Sequence, residues 1–302
     1  MSTTSINQKK LIPESKIVSI CNNLFSFLIS TSIFIALTSI LELYFSFLLF
    51  STLPNLNILL SFSFTVYSIY GLNKLTDIEE DAVNNPERAK IIAKICTLFK
   101  FSLAVSFILS LILGFSVNVL ALPALLFPLF MGVIYSIGIS SHIPRLKDIT
   151  GVKNLIIALS WGVPLALLPA IDQSMKQFIV ILIIFYIFFI KSLINSILFD
   201  IRDIEGDRIS GVKTIPIFLG INKTKRLLLI LNSTLIPLII FSYGYFYKYF
   251  FVLVFIIVYG YWYILYFCQE GLLIGKSLDL FVDGEFIPIS VLALIFSGEL
   301  HS

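Results

Sequence analysis

Asn73, Asp77 and Asp81 recur every four residues, and Asp200, Asp203 and Asp207 follow at intervals of three and four. On a helix each set shares one face, with members four apart separated by a rise of about 6 Å. Carboxylates stacked in this way repel one another, more strongly beside low-dielectric surroundings, and require a compensating cation. Magnesium suits the pattern: it takes carboxylate oxygens, shares its shell with substrate phosphates and needs no closed protein cage. Calcium is disfavoured because neither stretch has the alternating ligands of a calcium loop. Zinc is poorly supported, since the only histidines are His142 and His301 and no cysteine lies near either acidic set. One acidic set alone is also explained by helix capping or by pairing with nearby Lys and Arg, but two with matching spacing favour a metal site. On this reading two carboxylate pairs, one from each set, hold the ion.

The elements that position these residues follow from composition. The 302-residue chain is 58% hydrophobic and 13% charged, with a mean hydropathy of +0.99, which describes an integral membrane protein. With about 20 residues needed to cross the hydrocarbon, nine candidate helical spans run at roughly 24–44, 54–73, 93–115, 118–138, 153–171, 175–198, 224–245, 248–268 and 285–299. Long apolar runs without a period of two exclude barrel strands. The expected organisation is a polar leader over residues 1–20 and a single membrane domain over 21–302. Basic residues gather on alternate connections: Lys9, Lys10 and Lys16 in the leader, Lys74 to Lys100 after the second span, Arg145 to Lys153 after the fourth and Arg202 to Arg226 after the sixth. This asymmetry places the N-terminus and both acidic sets on the cytoplasmic side of a multi-pass protein of the cell membrane. A net charge of +3, explained by topology, gives no support to nucleic-acid binding.

The same connections supply groups for a diphosphate. Arg88 follows the first acidic set, and Arg145, Lys147 and Lys153 lie in the next cytoplasmic connection, where they can neutralise oxygens that magnesium leaves uncovered. Lys191 lies about nine residues before Asp200, hence about 13 Å deeper along its helix. An ionisable group at that depth marks a functional site, with snorkelling or pairing to Asp200 or Glu42 as the alternative.

The stretch from Asn73 through Asp77 to Asp81 resembles the NxxxDxxxD signature of the UbiA superfamily of intramembrane prenyltransferases. DIRDIEGDRISGVKTIP, from Asp200 to Pro216, resembles its second aspartate-rich motif, and the segment from Tyr135 to Gly162 is similar to the loop between its fourth and fifth helices. The resemblance covers roughly residues 20–299. It implies an all-α bundle of nine transmembrane helices around a central cavity, and magnesium-dependent transfer of a prenyl group from an isoprenyl diphosphate to an acceptor beside membrane lipid. Carried over, Asn73, Asp77, Asp81, Asp203 and Asp207 would hold the diphosphate and magnesium, with Arg88, Lys147 and Lys153 as further diphosphate contacts. The Lys-Asn element, Lys153 and Asn154, belongs to the same match. Asp200 would assist the acceptor, and Tyr135 would stabilise the developing allylic cation.

One departure bears on the acceptor. Many family members follow the first motif with an Arg-Pro-x-Arg-Pro-like run, whereas this chain reads NNPERAK, with Asn85 in place of the first Arg and Ala89 in place of the second Pro. A hydroxylated aromatic acid is the first expectation for the acceptor. A chlorin-like ring or a glycerol phosphate, as in digeranylgeranylglyceryl phosphate synthase and archaeal ether lipids, is the alternative. A small-molecule or ion transporter is a different-class reading, but it predicts acids near mid-membrane and repeated halves.

Overall fold

The computed structural model describes residues 16–76, 84–136, 149–171, 178–209 and 211–297. Within these the chain is helical: α1 (Lys16–Ser30), α2 (Ile33–Leu49), α3 (Leu56–Thr76), α4 (Pro86–Val117), α5 (Ala121–Ser136), α6 (Val152–Leu167) and α7 (Phe178–Arg202) come first. Next are the short α8 (Ile204–Ile209) and α9 (Ile215–Leu219), then α10 (Ile221–Ser233), α11 (Leu235–Phe241), α12 (Tyr243–Phe246), α13 (Phe250–Phe267) and α14 (Phe286–Ser297). A π-turn, Asp279–Asp283, leads into α14. Among the described residues six helices are long and apolar enough to cross a membrane, or seven if the bent pair α1 and α2 is one span. The protein is therefore an all-α, polytopic membrane protein. Two of the expected spans fall short of this criterion for visible reasons. The second, in α3, carries three serines and has Asn73 and Lys74 in its last turn, while the fourth, α5, is only 16 residues long.

Local chemistry sets the breaks. α1 and α2 meet at 72°, where Ser32 takes a left-handed conformation with φ 62° and the Thr31 hydroxyl donates back to the Phe27 carbonyl at 2.7 Å. α4 starts sharply because the Asn85 side chain accepts from the Arg88 amide at 3.2 Å, with Pro86 at the first helical position and Glu87 in the positive first turn.

α7 forms the centre of the bundle, with Ile184, Phe188, Ile194, Ile197 and Leu198 all inaccessible. α6 packs along it, α3 packs along α4, and α2 is flanked by α3 and α14. Lipid tails are as apolar as leucine, so helix association in a bilayer relies on close packing and hydrogen bonds between helices. Ser61 of α3 donates to the Ser110 carbonyl of α4 at 2.6 Å, and Ser46 of α2 to the Leu165 carbonyl of α6 at 2.6 Å. Asn232 of α10 reaches the Ile257 carbonyl of α13 at 3.0 Å, and Ser290 of α14 the Leu41 carbonyl of α2 at 3.1 Å. The outward face of α4 is correspondingly apolar, with Leu98, Phe101, Ile108, Ile112 and Phe115 exposed.

Candidate functional site

A cavity of about 290 Å³ opens between the ends of α3, α4, α6 and α7 and the segment leading into α14. Its lining includes the polar side chains Asn73, Asn84, Arg88, Lys153, Asp200, Asp203 and Asp207 and the apolar side chains Phe34, Tyr70, Ile157, Trp161, Phe199 and Phe286. Both acidic motifs thus reach one cavity, the first through Asn73 and the second through all three of its aspartates.

The second motif keeps its shared face although two helices carry it. α7 ends at Arg202, yet the Asp203 amide donates to the Phe199 carbonyl at 3.1 Å and the Asp207 amide to the Asp203 carbonyl at 2.9 Å, so helical bonding passes through the junction. Asp200, 2% exposed, is fixed from α6 and its N-terminal end. Lys153 Nζ pairs with Oδ1 at 2.9 Å and Asn154 Nδ2 donates to Oδ2 at 2.8 Å. Asn154 also donates to the Ser196 hydroxyl at 3.2 Å, and it holds Asp200 from behind the cavity wall. Asp203 receives the fork of Arg202, Nε to Oδ1 at 2.9 Å and Nη2 to Oδ2 at 3.2 Å.

The two motif regions also touch between a side chain and a glycine. Asn84, at the end of the first motif's connection, lies so close to α8 that a Cβ on Gly206 would stand 1.8 Å from Asn84 Oδ1. A side chain at Gly206 would therefore displace the Asn84 amide from its place in the cavity lining. At the other edge, Lys74 Nζ donates to the Ile29 carbonyl at 2.5 Å and so ties the end of α3 to the α1–α2 bend.

Lys191 has a different setting from its neighbours in sequence. Its side chain is 1% exposed and absent from the cavity lining. Its ion-pair partner is Glu285 at 2.6 Å, neither Asp200 nor Glu42. Tyr263 of α13 accepts from Lys191 Nζ at 2.5 Å, and Asn195 joins Tyr263 to Glu285 at 3.2 and 3.4 Å. The physical reason is tertiary: α14 brings Glu285 to the height at which Lys191 leaves α7. Asp77, Asp81, Arg145 and Lys147 lie outside the described residues, as does the side chain of Tyr135 in the last turn of α5.

The structure adds residues that motif reading passed over. Glu42, Asp279, Asp283 and Glu285 all line the cavity. A signal for two of them was present, because Glu42 and Glu285 are carboxylates in or beside apolar runs; Asp279 and Asp283 share the interval of four found in the first motif. Tyr70 stacks on Trp161 with centroids 5.3 Å apart and planes 10° apart, a flat aromatic pair on the apolar wall that no motif marks.

Residues 23–271 match the model of the UbiA prenyltransferase family. The chain belongs to that family. Among its relatives, the digeranylgeranylglyceryl phosphate synthase of Saccharolobus solfataricus is 30% identical over 176 residues, 56% of this chain and 59% of that protein. The synthase of the same name from Sulfolobus acidocaldarius is 30% identical over 160 residues, 51% of this chain and 54% of that protein. The chain thus spans between half and three fifths of the length of these curated relatives. In three dimensions this UbiA family member resembles a UbiA homolog from Archaeoglobus fulgidus bound to GPP and Mg2+, with a TM-score of 0.66 at 20% identity over 90% of this chain and 97% of that one. It also resembles the structure from a study of digeranylgeranylglyceryl phosphate synthase in membranes, with a TM-score of 0.54 at 19% identity over 91% of this chain and 97% of that one. These similarities give the UbiA family fold.

Proposed function

We propose that this UbiA family protein transfers a prenyl group from an isoprenyl diphosphate, with magnesium, to the free hydroxyl of a prenylated glycerol phosphate. The observation that carries the reading is the cavity itself, whose lining combines Asn73, Asp200, Asp203 and Asp207 with Arg88, Lys153 and aromatic side chains. The relatives named digeranylgeranylglyceryl phosphate synthase favour this acceptor over the aromatic acid expected first. The departure at NNPERAK is compatible with that preference.

The donor set fits magnesium. Asn73, Asp203 and Asp207 offer only oxygen ligands, or an amide oxygen, to the cavity, and Asp77 and Asp81 would complete the set from the connection after α3. Magnesium shares its shell with phosphate and water, so the protein need supply only part of its ligands. Bound there, magnesium would offset the charge that develops on the departing diphosphate.

The chain's own groups divide the remaining work. Arg88 and Lys153 face the same region and would take diphosphate oxygens, with Arg145 and Lys147 as further contacts. Tyr70 and Trp161 present ring faces on which an electron-poor allylic fragment would be sheltered, beside the role proposed for Tyr135. Asp200, held at both oxygens by Lys153 and Asn154, is positioned to orient the acceptor hydroxyl and receive its proton as Lys153 turns to the diphosphate. Apolar walls would exclude water that otherwise captures the cation.

The proposed architecture has nine spans: the six long helices, the bent α1–α2 pair, and α3 and α5, with the site facing the cytoplasm. Purified protein incubated with magnesium, labelled geranylgeranyl diphosphate and a panel of acceptors tests the reading. The expected product forms with geranylgeranylglyceryl phosphate and is lost in Asp203→Ala. Preferential labelling of a hydroxylated aromatic acid would reject this acceptor.

A further inference from the structure

Arg202 stands at the centre of the second acidic motif and has no role in prenyl transfer as described above. Its guanidinium spends two donors on the two oxygens of Asp203, at 2.9 and 3.2 Å. A third, Nη1, reaches both oxygens of Asp279 at 3.4 and 3.3 Å. The plane is supported underneath by Phe199, whose ring centroid lies 4.7 Å from the guanidinium carbon. The two acids come from different segments of the cavity lining, Asp203 from the α7–α8 junction and Asp279 from the turn before α14. Side-chain exposure is 14% for Arg202, 26% for Asp203 and 9% for Asp279.

This arrangement conflicts with a metal on Asp203. A hard divalent ion needs carboxylate oxygens, and Arg202 already donates to both of them. Each oxygen keeps a second lone pair, but a guanidinium cannot surrender its charge by losing a proton, so cation and metal repel at the same oxygens. Displacement of the guanidinium towards its other partner relieves that repulsion. The longer contact to Asp279, 3.3–3.4 Å, supplies the place for it to go, an anchor already engaged that tightens as the fork on Asp203 is given up.

We propose that Arg202 is an internal counter-ion for Asp203, a positioning residue that occupies the aspartate before metal binds and is drawn onto Asp279 when metal takes its place. This rests on the reading of Asp203 as a metal ligand. Asp279 then acts only through Arg202, favouring release, and the two residues have opposite effects on metal affinity.

The test is equilibrium binding of Mn2+ to purified protein without diphosphate, read from the electron paramagnetic resonance signal of free Mn2+. Arg202→Gln removes the competing cation and tightens Mn2+ binding about fivefold or more, the scale of one charge-assisted hydrogen bond. Asp279→Asn leaves Arg202 committed to Asp203 and weakens binding by a similar factor. The double variant follows Arg202→Gln, and Arg202→Lys, which keeps the charge but loses the fork, falls between wild type and Arg202→Gln. Independent charges acting through space would also oppose the single variants, so the double variant decides: binding midway between the two singles, both singles shifting with the same sign, or no change in Asp279→Asn overturns the proposal. If Arg202→Gln does not fold, Arg202→Lys alone and combined with Asp279→Asn carries the same decision. Asp203→Asn separates the two levels: weaker Mn2+ binding there with no tightening in Arg202→Gln rejects the counter-ion alone, whereas unchanged Mn2+ binding in Asp203→Asn rejects the metal-ligand reading beneath it.

Discussion

Replacing Lys191 distinguishes a structural lysine from a substrate-binding one. Lys191 and Glu285 are each 1% exposed and 2.6 Å apart, with Tyr263 and Asn195 completing their hydrogen bonds. Removing one member of such a pair leaves an uncompensated charge away from water, at a cost of about 3–5 kcal/mol. Because neither group is solvent-screened, no discount for exposure applies. Lys191→Met and Glu285→Gln should each lower the melting temperature in detergent by on the order of 10 °C. The double variant should recover most of the loss, giving a coupling of about 2 kcal/mol or more between the two sites. Fluorescence-monitored thermal unfolding of the four proteins gives the cycle, and activity on a labelled prenyl diphosphate gives the functional axis. A Lys191→Met protein that melts like wild type but has a raised KM for the diphosphate would refute the structural assignment and return Lys191 to the substrate site.

Gly206→Ala displaces the Asn84 amide from the cavity lining and should reduce activity by a factor no larger than about ten, an effect of about 1.4 kcal/mol; Asn84→Ala should cause a loss of the same size and the double variant no further loss, as measured by initial rates. Asn154→Ala removes the 2.8 Å hydrogen bond to Asp200 and should lower kcat by about 10- to 100-fold, the equivalent of about 1–3 kcal/mol, with little change in KM for the prenyl diphosphate. Trp161→Ala removes the partner on which Tyr70 stacks and one face of the apolar wall. It should depress kcat and raise the fraction of diphosphate lost to hydrolysis, which product chromatography would detect.

How much was legible in the sequence varies with the range of the interaction. Membrane class, helical structure and the approximate positions of the spans follow from local composition, because hydropathy over a window the thickness of the bilayer is a property of contiguous residues. The one-face pairing of Asp200, Asp203 and Asp207 was legible for the same reason: spacing along a helix is set by the backbone, and the hydrogen bonds from Asp203 to Phe199 and from Asp207 to Asp203 carry that geometry across the helix junction. The resemblance to the UbiA family was written in the same short motifs.

Tertiary structure decided the partners. Lys191 pairs with Glu285, 94 positions away in the chain, because α14 and not a sequence neighbour reaches its depth. Arg202 looks from its position like one more basic residue at a helix end, yet Asp279, 77 positions away, pairs with it. Asn84 and Gly206 are unremarkable in sequence until two chain segments approach closely enough for the Asn84 amide to fill the space of a Gly206 Cβ. Local spacing fixes which face a side chain occupies, whereas the identity of the group opposite depends on how the helices pack, and the charges of this site are balanced across helices.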